Sequence, residues 1–169
     1  MKMLPVLLVL MSLLAPLRTD AQCKNTYDEH PATSLTISQV RDSLKIGSPI
    51  LVRMILTNNS NHDISVGRDV RERDYQVEVR DANGDLAVDT KYGHARNGHA
   101  DPNSFTPDEL RSNVYCVNVK AGETSVFEVD VSKLYEIAKP GKYTVQLQKL
   151  DPVSVTIVKS NKITLDLIQ

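Results

Sequence analysis

The sequence predicts an all-β fold: one domain of about seven to nine short strands in two antiparallel sheets packed face to face, with one short helical turn. Three observations carry this reading. First, Lys139-Pro140-Gly141 opens a run in which Tyr143, Val145 and Leu147 alternate with Lys142, Thr144, Gln146 and Gln148. Period-two alternation puts the apolar set on one face of a half-buried strand. Second, runs of this kind recur along the chain, separated by clusters of Gly, Pro, Asn and Asp. Third, no stretch sustains the 3.6-residue period of a long helix.

The first 21 residues read as a secretory leader. Lys2 supplies a positive start, Leu4 to Leu17 is apolar apart from Pro5, Ser12 and Pro16, and Thr19-Asp20-Ala21 places small residues where a signal peptidase cuts. Cleavage after Ala21 leaves residues 22–169 as the domain, expected outside the cytoplasm, either periplasmic or secreted. The apolar run is shorter than the ~20 residues of a membrane span, so no span is expected in the mature chain. Asp20-Ala21-Gln22 before Cys23 does not give the aliphatic-small-small pattern of a lipid-attachment site. The chain carries 20 Lys and Arg against 21 Asp and Glu. The leader takes Lys2, Arg18 and Asp20 with it, so the domain is mildly acidic. A surface of that kind has no electrostatic footprint for nucleic acid or anionic lipid.

The strands follow in order. After a polar lead from Gln22 to Thr33, Leu35 and Ile37 mark the first. Ser48-Pro49 leads into Ile50–Thr57, where Val52, Met54 and Leu56 point inward and Arg53 outward. Asn58-Asn59-Ser60-Asn61 is a turn cluster. Ile64 and Val66 mark a short strand, and Tyr75, Val77 and Val79 the next. Asn83-Gly84 then forms a hairpin, since both residues tolerate positive φ. Thr90 to Ser112 is rich in Gly, His, Asn, Asp and Pro and reads as a long loop of the kind that carries function. Tyr115, Val117 and Val119 resume the inward pattern. Ala121-Gly122-Glu123 turns the chain into Phe127, Val129 and Val131. Ser132-Lys133-Leu134-Tyr135 holds a cap residue and an apolar pair, hence one helical turn. Asp151-Pro152 breaks the strand of Tyr143, and Ile163, Leu165 and Leu167 form the last.

Leu56-Thr57-Asn58-Asn59-Ser60, Tyr75 to Gly84, Gly122-Glu123-Thr124 and Pro140-Gly141-Lys142-Tyr143-Thr144-Val145 occur in this order over most of the mature chain. Together they resemble secreted bacterial immunoglobulin-like domains. They are also similar to the BsuPI-type proteinase inhibitor domain, itself an immunoglobulin-like sandwich. The resemblance implies an immunoglobulin-like antiparallel sandwich, and Tyr143 suits the corner where a Tyr ring fills the core edge and its hydroxyl bonds nearby backbone. The inhibitor family has a Trp after the Asn-Gly hairpin; this chain has Asp85-Leu86-Ala87-Val88 there and no Trp.

Residues that carry chemistry are few. Tyr92, His94, Arg96, His99 and Asp101 in the long loop are the candidate binding residues. His94, His99 and Asp101 have ligand chemistry for zinc, but their spacing matches no structural zinc pattern, and no metal or cofactor is expected. Asp81, Asn83 and Asp85 alternate as in a calcium loop, yet Leu86 and Tyr92 stand where an EF-hand needs Gly and Glu. No Gly-x-Ser-x-Gly elbow is present. His30 and His62 stand beside turn residues and are expected at the surface. Asn58-Asn59-Ser60 is a glycosylation sequon. Cys23 and Cys116 permit one internal bridge; the alternative is two free or intermolecular thiols. Alternation turns Cys116 outward beside Asn118, where Cys23 on its polar lead can cross the sheet to reach it.

The expected function is that of a non-catalytic, monomeric interaction module. It binds a protein or other envelope component through loops at one end, chiefly Thr90–Ser112. Two alternatives stand beside it: a proteinase inhibitor, implied by the resemblance, and a metal-dependent enzyme built on His94, His99 and Asp101.

Overall fold

The computed structural model describes residues 23–69, 75–96 and 114–169. The expected leader, His99 and Asp101 lie outside the described residues. What is described is mostly strand with little helix, an all-β chain. Strands β1 (Thr33–Gln39), β3 (Leu51–Asn58) and β7 (Thr124–Asp130) form one antiparallel sheet in the order β1-β3-β7. A second sheet runs β2 (Leu44–Lys45), β10 (Ile163–Ile168), β8 (Gly141–Leu150), β5 (Tyr75–Arg80), with β9 (Ile157–Lys159) also pairing with β8. A ribbon joins β4 (Ile64–Asp69) to β6 (Val114–Val119). Two short helices complete the described chain: α1 (Lys91–Arg96) and α2 (Val131–Leu134).

Alternation decides which face each strand buries. In β3, Val52, Met54 and Leu56 are buried and Arg53 reaches out to Glu128 at 3.1 Å. In β8, Tyr143, Val145 and Leu147 are buried, with Val145 opposite Val79 and Tyr143 opposite Leu165 on its two neighbours. The ribbon adds Ile64, Val66 and Val119, so one apolar cluster draws on all three sheets. Each such Leu, Ile or Val removed from water stabilises by about 1.5–3 kcal/mol. The hydroxyl of Tyr143 donates to the Lys139 carbonyl at 3.0 Å, four residues upstream.

The Asn83-Gly84 turn closes as a hairpin. Arg80 bridges Leu86, and Gly84 takes φ 86°, which a side chain would resist. The Asp81 carboxylate accepts from the amides of Asn83 (2.9 Å) and Asp85 (3.0 Å), which accounts for the alternating Asp-Asn-Asp without a cation.

Five expectations need correction. The described residues hold ten strands, not seven to nine, because β2 and β9 are two and three residues long and too short to show a period. The pairing is not purely antiparallel: β2 runs parallel to β10, with Leu44 opposite Leu167. No turn connects these distant segments, so no turn residue could announce their direction. The described residues hold two helical segments, not one. Asp130 caps α2 one residue before the helix begins; its carboxylate takes the Ser132 amide at 3.2 Å, so Ser132 is inside the helix and Val131 is its first residue rather than the end of a strand. Finally, Tyr115 is 45% exposed rather than inward, since the core ends at Val117 and Val119 on that ribbon.

Candidate functional site

The segment from Thr90 starts as a docked helix, not as a loop. The amide of Thr90 donates to the Leu134 carbonyl at 2.9 Å and its hydroxyl to the Lys133 carbonyl at 2.5 Å. The same hydroxyl accepts the Gly93 amide at 3.0 Å, so Thr90 caps α1 while tying it to α2. Gly93 is buried and required there by contact: a Cβ on it would sit 2.0 Å from the Leu134 carbonyl oxygen. Just before it, Asp89 bridges Tyr135.

Three of the five candidate binding residues lie on α1. Tyr92 is partly exposed, and His94 is half exposed with Nδ1 3.9 Å from an Asp89 oxygen. Arg96 turns back: its guanidinium lies 5.0 Å from the Tyr75 ring centre and donates to the Tyr75 carbonyl. It anchors the helix to β5 and is not turned outward with the other two. His94 is two residues from each of its companions, a spacing that does not bring helical side chains together. Among the described residues no group of three His, Cys, Asp or Glu is placed to hold a metal ion.

Beside this helical stem lies an open groove of about 520 Å³. Ile46, Pro49 and Ile50 form one wall, Tyr135, Ile137 and Ala138 the other, and Thr90, Ser132 and Glu136 add polar groups. Sequence reasoning missed it because its walls come from distant turns. Asp130 builds both walls at once: besides capping α2, its carboxylate accepts the Ile50 amide at 3.2 Å. Tyr135 is buried and donates its hydroxyl to the Val77 carbonyl. Burial, and then the nearby Asp89 carboxylate, raise its pKa above the ordinary phenol value against an opposing pull from Arg96.

A smaller, more polar depression of about 270 Å³ lies near Gln76, Glu78, Leu86, Gln146, Gln148 and Lys159. Four of its polar side chains are engaged with protein neighbours: Gln148 donates to Gln76 at 2.5 Å, Gln146 to the Ser160 carbonyl at 2.8 Å, and Glu78 pairs with Arg80 at 2.7 Å. The Arg80 hydrogen bond outweighs slight burial and lowers the Glu78 pKa.

The β8–β9 turn is organised by Asp151, which is almost fully buried. Its carboxylate accepts from the Thr33 amide (2.9 Å) and hydroxyl (2.6 Å), the Val153 amide (3.0 Å) and the Ser154 amide (2.9 Å) and hydroxyl (3.1 Å). Burial raises its pKa, but these donors together win and hold it below the ordinary carboxylate value. Across the turn Val155 adopts φ 57°, a costly conformation for a β-branched residue, and is itself 62% exposed. Leu150 and Ile157 are exposed on either side of it.

The sequon residue Asn58 is 0% exposed. Its amide nitrogen donates to the carbonyls of His62 (2.8 Å) and Val119 (2.9 Å), and its oxygen accepts from Ser60. It closes the β3–β4 turn and is no surface acceptor. Cys23 and Cys116 are joined in a disulfide, with their Cα atoms 5.6 Å apart. His30 and His62 are exposed.

No family model and no curated protein matches the chain. Among solved structures, similarity is found to a β-glucuronidase of Bacteroides uniformis, at 13% identity and TM-score 0.38, over 79% of this chain and 13% of that one. A β-glucosidase from Listeria innocua gives 16% identity and TM-score 0.39, over 82% of this chain and 16% of that one. The Pseudomonas fluorescens alkylpurine DNA glycosylase AlkC gives 10% identity and TM-score 0.40, over 83% and 31%. The chain spans less than a third of each of these proteins, and likeness at this level carries no weight for fold or chemistry. Among the described residues no helix is long and apolar enough to cross a membrane.

Proposed function

We propose that this protein is an exported, non-catalytic binding module with an immunoglobulin-like sandwich build. It recognises a protein or other envelope component with the end that carries α1 and the neighbouring groove. The observation that carries the reading is the docked stem: Thr90 and Gly93 lock α1 onto α2, immediately beside an open, largely apolar groove. Recognition segments work best when a rigid element holds their base, and apolar grooves with a few polar groups are the usual places for ligands. The sandwich build is supported by the alternating burial of β3 and β8 over one shared core and by the Tyr143 hydroxyl bonding backbone four residues upstream.

The test uses Ala138, which lines the groove yet is exposed. Ala138→Arg is expected to keep the melting transition of the wild type and to abolish retention of whatever species the immobilised wild-type protein captures from the native exported fraction. Equal retention by both proteins removes the groove from the reading.

The β8–β9 turn favours a second reading, proteinase inhibition. Leu150, Val155 and Ile157 project from a turn already fixed by Asp151, so little order remains to be gained on binding. A panel of secreted proteinases assayed with the wild type and with Val155→Asp separates the two readings. Inhibition by the first and not the second places the activity on this turn, and no inhibition by either removes it.

A further inference from the structure

We propose that the Cys23–Cys116 bond is a redox latch. It holds the segment from Cys23 to Pro31 across the outer edge of β4, and its reduction uncovers that edge while the rest of the domain stays folded. The argument starts at Asn25. Its side-chain nitrogen donates to the Ser65 carbonyl at 2.7 Å, and its side-chain oxygen accepts the Ser65 amide at 2.7 Å. One residue exchanging both bonds with its neighbour is the pattern of an antiparallel ladder. A single side chain thus stands where the next strand of the ribbon would lie, and it blunts an edge that otherwise offers unpaired backbone groups.

The segment is held at two places. At its far end, Ala32 is buried, its carbonyl accepts the Asn59 amide at 2.7 Å, and Thr33 is bound by Asp151. At its near end stand the disulfide and Asn25, the latter also reaching the Pro152 carbonyl at 3.3 Å. Between them Thr26 to Pro31 are all exposed, with Tyr27 the most apolar of them. Nothing in that stretch is buried to keep it in place. Without the covalent anchor, a few bonds from one Asn must hold roughly nine ordered residues, and the conformational entropy of those residues opposes them. Cys116 is exposed and sits opposite Gly67, so no side chain on β4 shields the sulfur from that position. Accessible disulfides are the ones open to exchange.

The reductant is a dithiol. One of its thiolates attacks a sulfur of the bridge, forming a mixed disulfide and releasing the other cysteine as thiolate. Its second thiol then displaces the first cysteine. Two electrons pass to the protein, which ends with two thiols, and the reductant ends as a disulfide.

Hydrogen exchange on residues 22–169, oxidised and then reduced with dithiothreitol, tests this. The amide of Ser65, which Asn25 holds in the oxidised protein, is expected to exchange about tenfold faster or more after reduction, those of Val145 and Leu147 to keep their rates, and reoxidation to restore the original pattern. Asn25→Ala with the bond intact is expected to speed exchange at Ser65 alone; Cys116→Ser is expected to reproduce the reduced state without reductant. Unchanged exchange at Ser65 on reduction overturns the latch. So does a rise shared by every strand, because the bond would then hold the whole fold and not one edge.

Discussion

Asp151 concentrates more hydrogen bonds on one buried carboxylate than any other described residue, and its replacement has calculable effects. Asp151→Ala leaves several donors of the turn and of Thr33 unmatched inside the protein, each worth about 1–3 kcal/mol, so a loss of about 3–5 kcal/mol in chemical denaturation is expected. The pH dependence has a definite sign. The folded pKa is depressed, so this contribution is fully present above the ordinary carboxylate value, and it is lost as pH falls through the folded value below it. Wild-type stability is therefore expected to drop below about pH 4, and the drop to be shallower in Asp151→Asn. Melting curves of both proteins from neutral to acid pH check this; parallel curves would rule it out. Tyr143 offers a contrasting case. Its ring is buried and its hydroxyl makes one bond, so Tyr143→Ala is expected to cost about 3–5 kcal/mol and Tyr143→Phe about 1 kcal/mol. Tyr143 was legible in the sequence because a Pro-Gly turn and seven alternating residues announce it. Asp151 was visible only as a strand breaker, since its partner Thr33 lies 118 positions away.

At the scale of elements, the contact between α1 and α2 decides how Thr90–Ser112 can be manipulated. Gly93→Ala must push a methyl group into the Leu134 carbonyl, so the two helices have to separate. The expected cost is about 2–4 kcal/mol, above the usual range for an exposed helical Gly, where Ala normally stabilises. Replacing all of Thr90–Ser112 with a Gly-Ser linker is likewise expected to lower the melting temperature, because it removes the Thr90 cap and the Arg96 contact with Tyr75. A linker replacing only the residues after Arg96 keeps both. Comparing the two replacements by calorimetry checks the boundary. Composition made this whole stretch look like loop, since Gly, His, Asn, Asp and Pro recur along it and a six-residue helix leaves no periodic trace. The helix exists through tertiary contact, and such contacts are invisible to propensity. The same holds for the groove: Asp130, Ile50 and Tyr135 meet only after three segments have paired.

At the scale of the molecule, long-range pairing dominates. β1, β3 and β7 are adjacent in space but dispersed in sequence, and β2 finds β10 across most of the chain. Such a topology closes many loops before its contacts form, so folding in milliseconds to seconds is expected, slower than for helical domains of equal size. Stopped-flow refolding of the oxidised protein measures it. A common core also means common loss: Leu147→Ala, at a fully buried centre of β8, is expected to cost about 2–5 kcal/mol while keeping one unfolding transition. Two separate transitions would show that the ribbon or a sheet folds by itself. The longer strands and, Tyr115 apart, their facing were legible because alternation is a local property, whereas β2 and β9 are too short to show it. Sheet membership and the parallel β2–β10 pair were not, because they are decided by which edges remain open once the hairpins have formed.

The buried amide of Asn58 turns a surface-looking sequon into a clock. The transferase that attaches glycans needs the nitrogen that the folded chain gives to His62 and Val119. In a host that glycosylates, attachment and turn closure compete for one atom, and whichever comes first excludes the other. The glycosylated fraction recovered from such a host therefore records how long the β3–β4 corner stays open after synthesis, and a chain carrying that glycan keeps one side-chain N–H where the closed corner uses two.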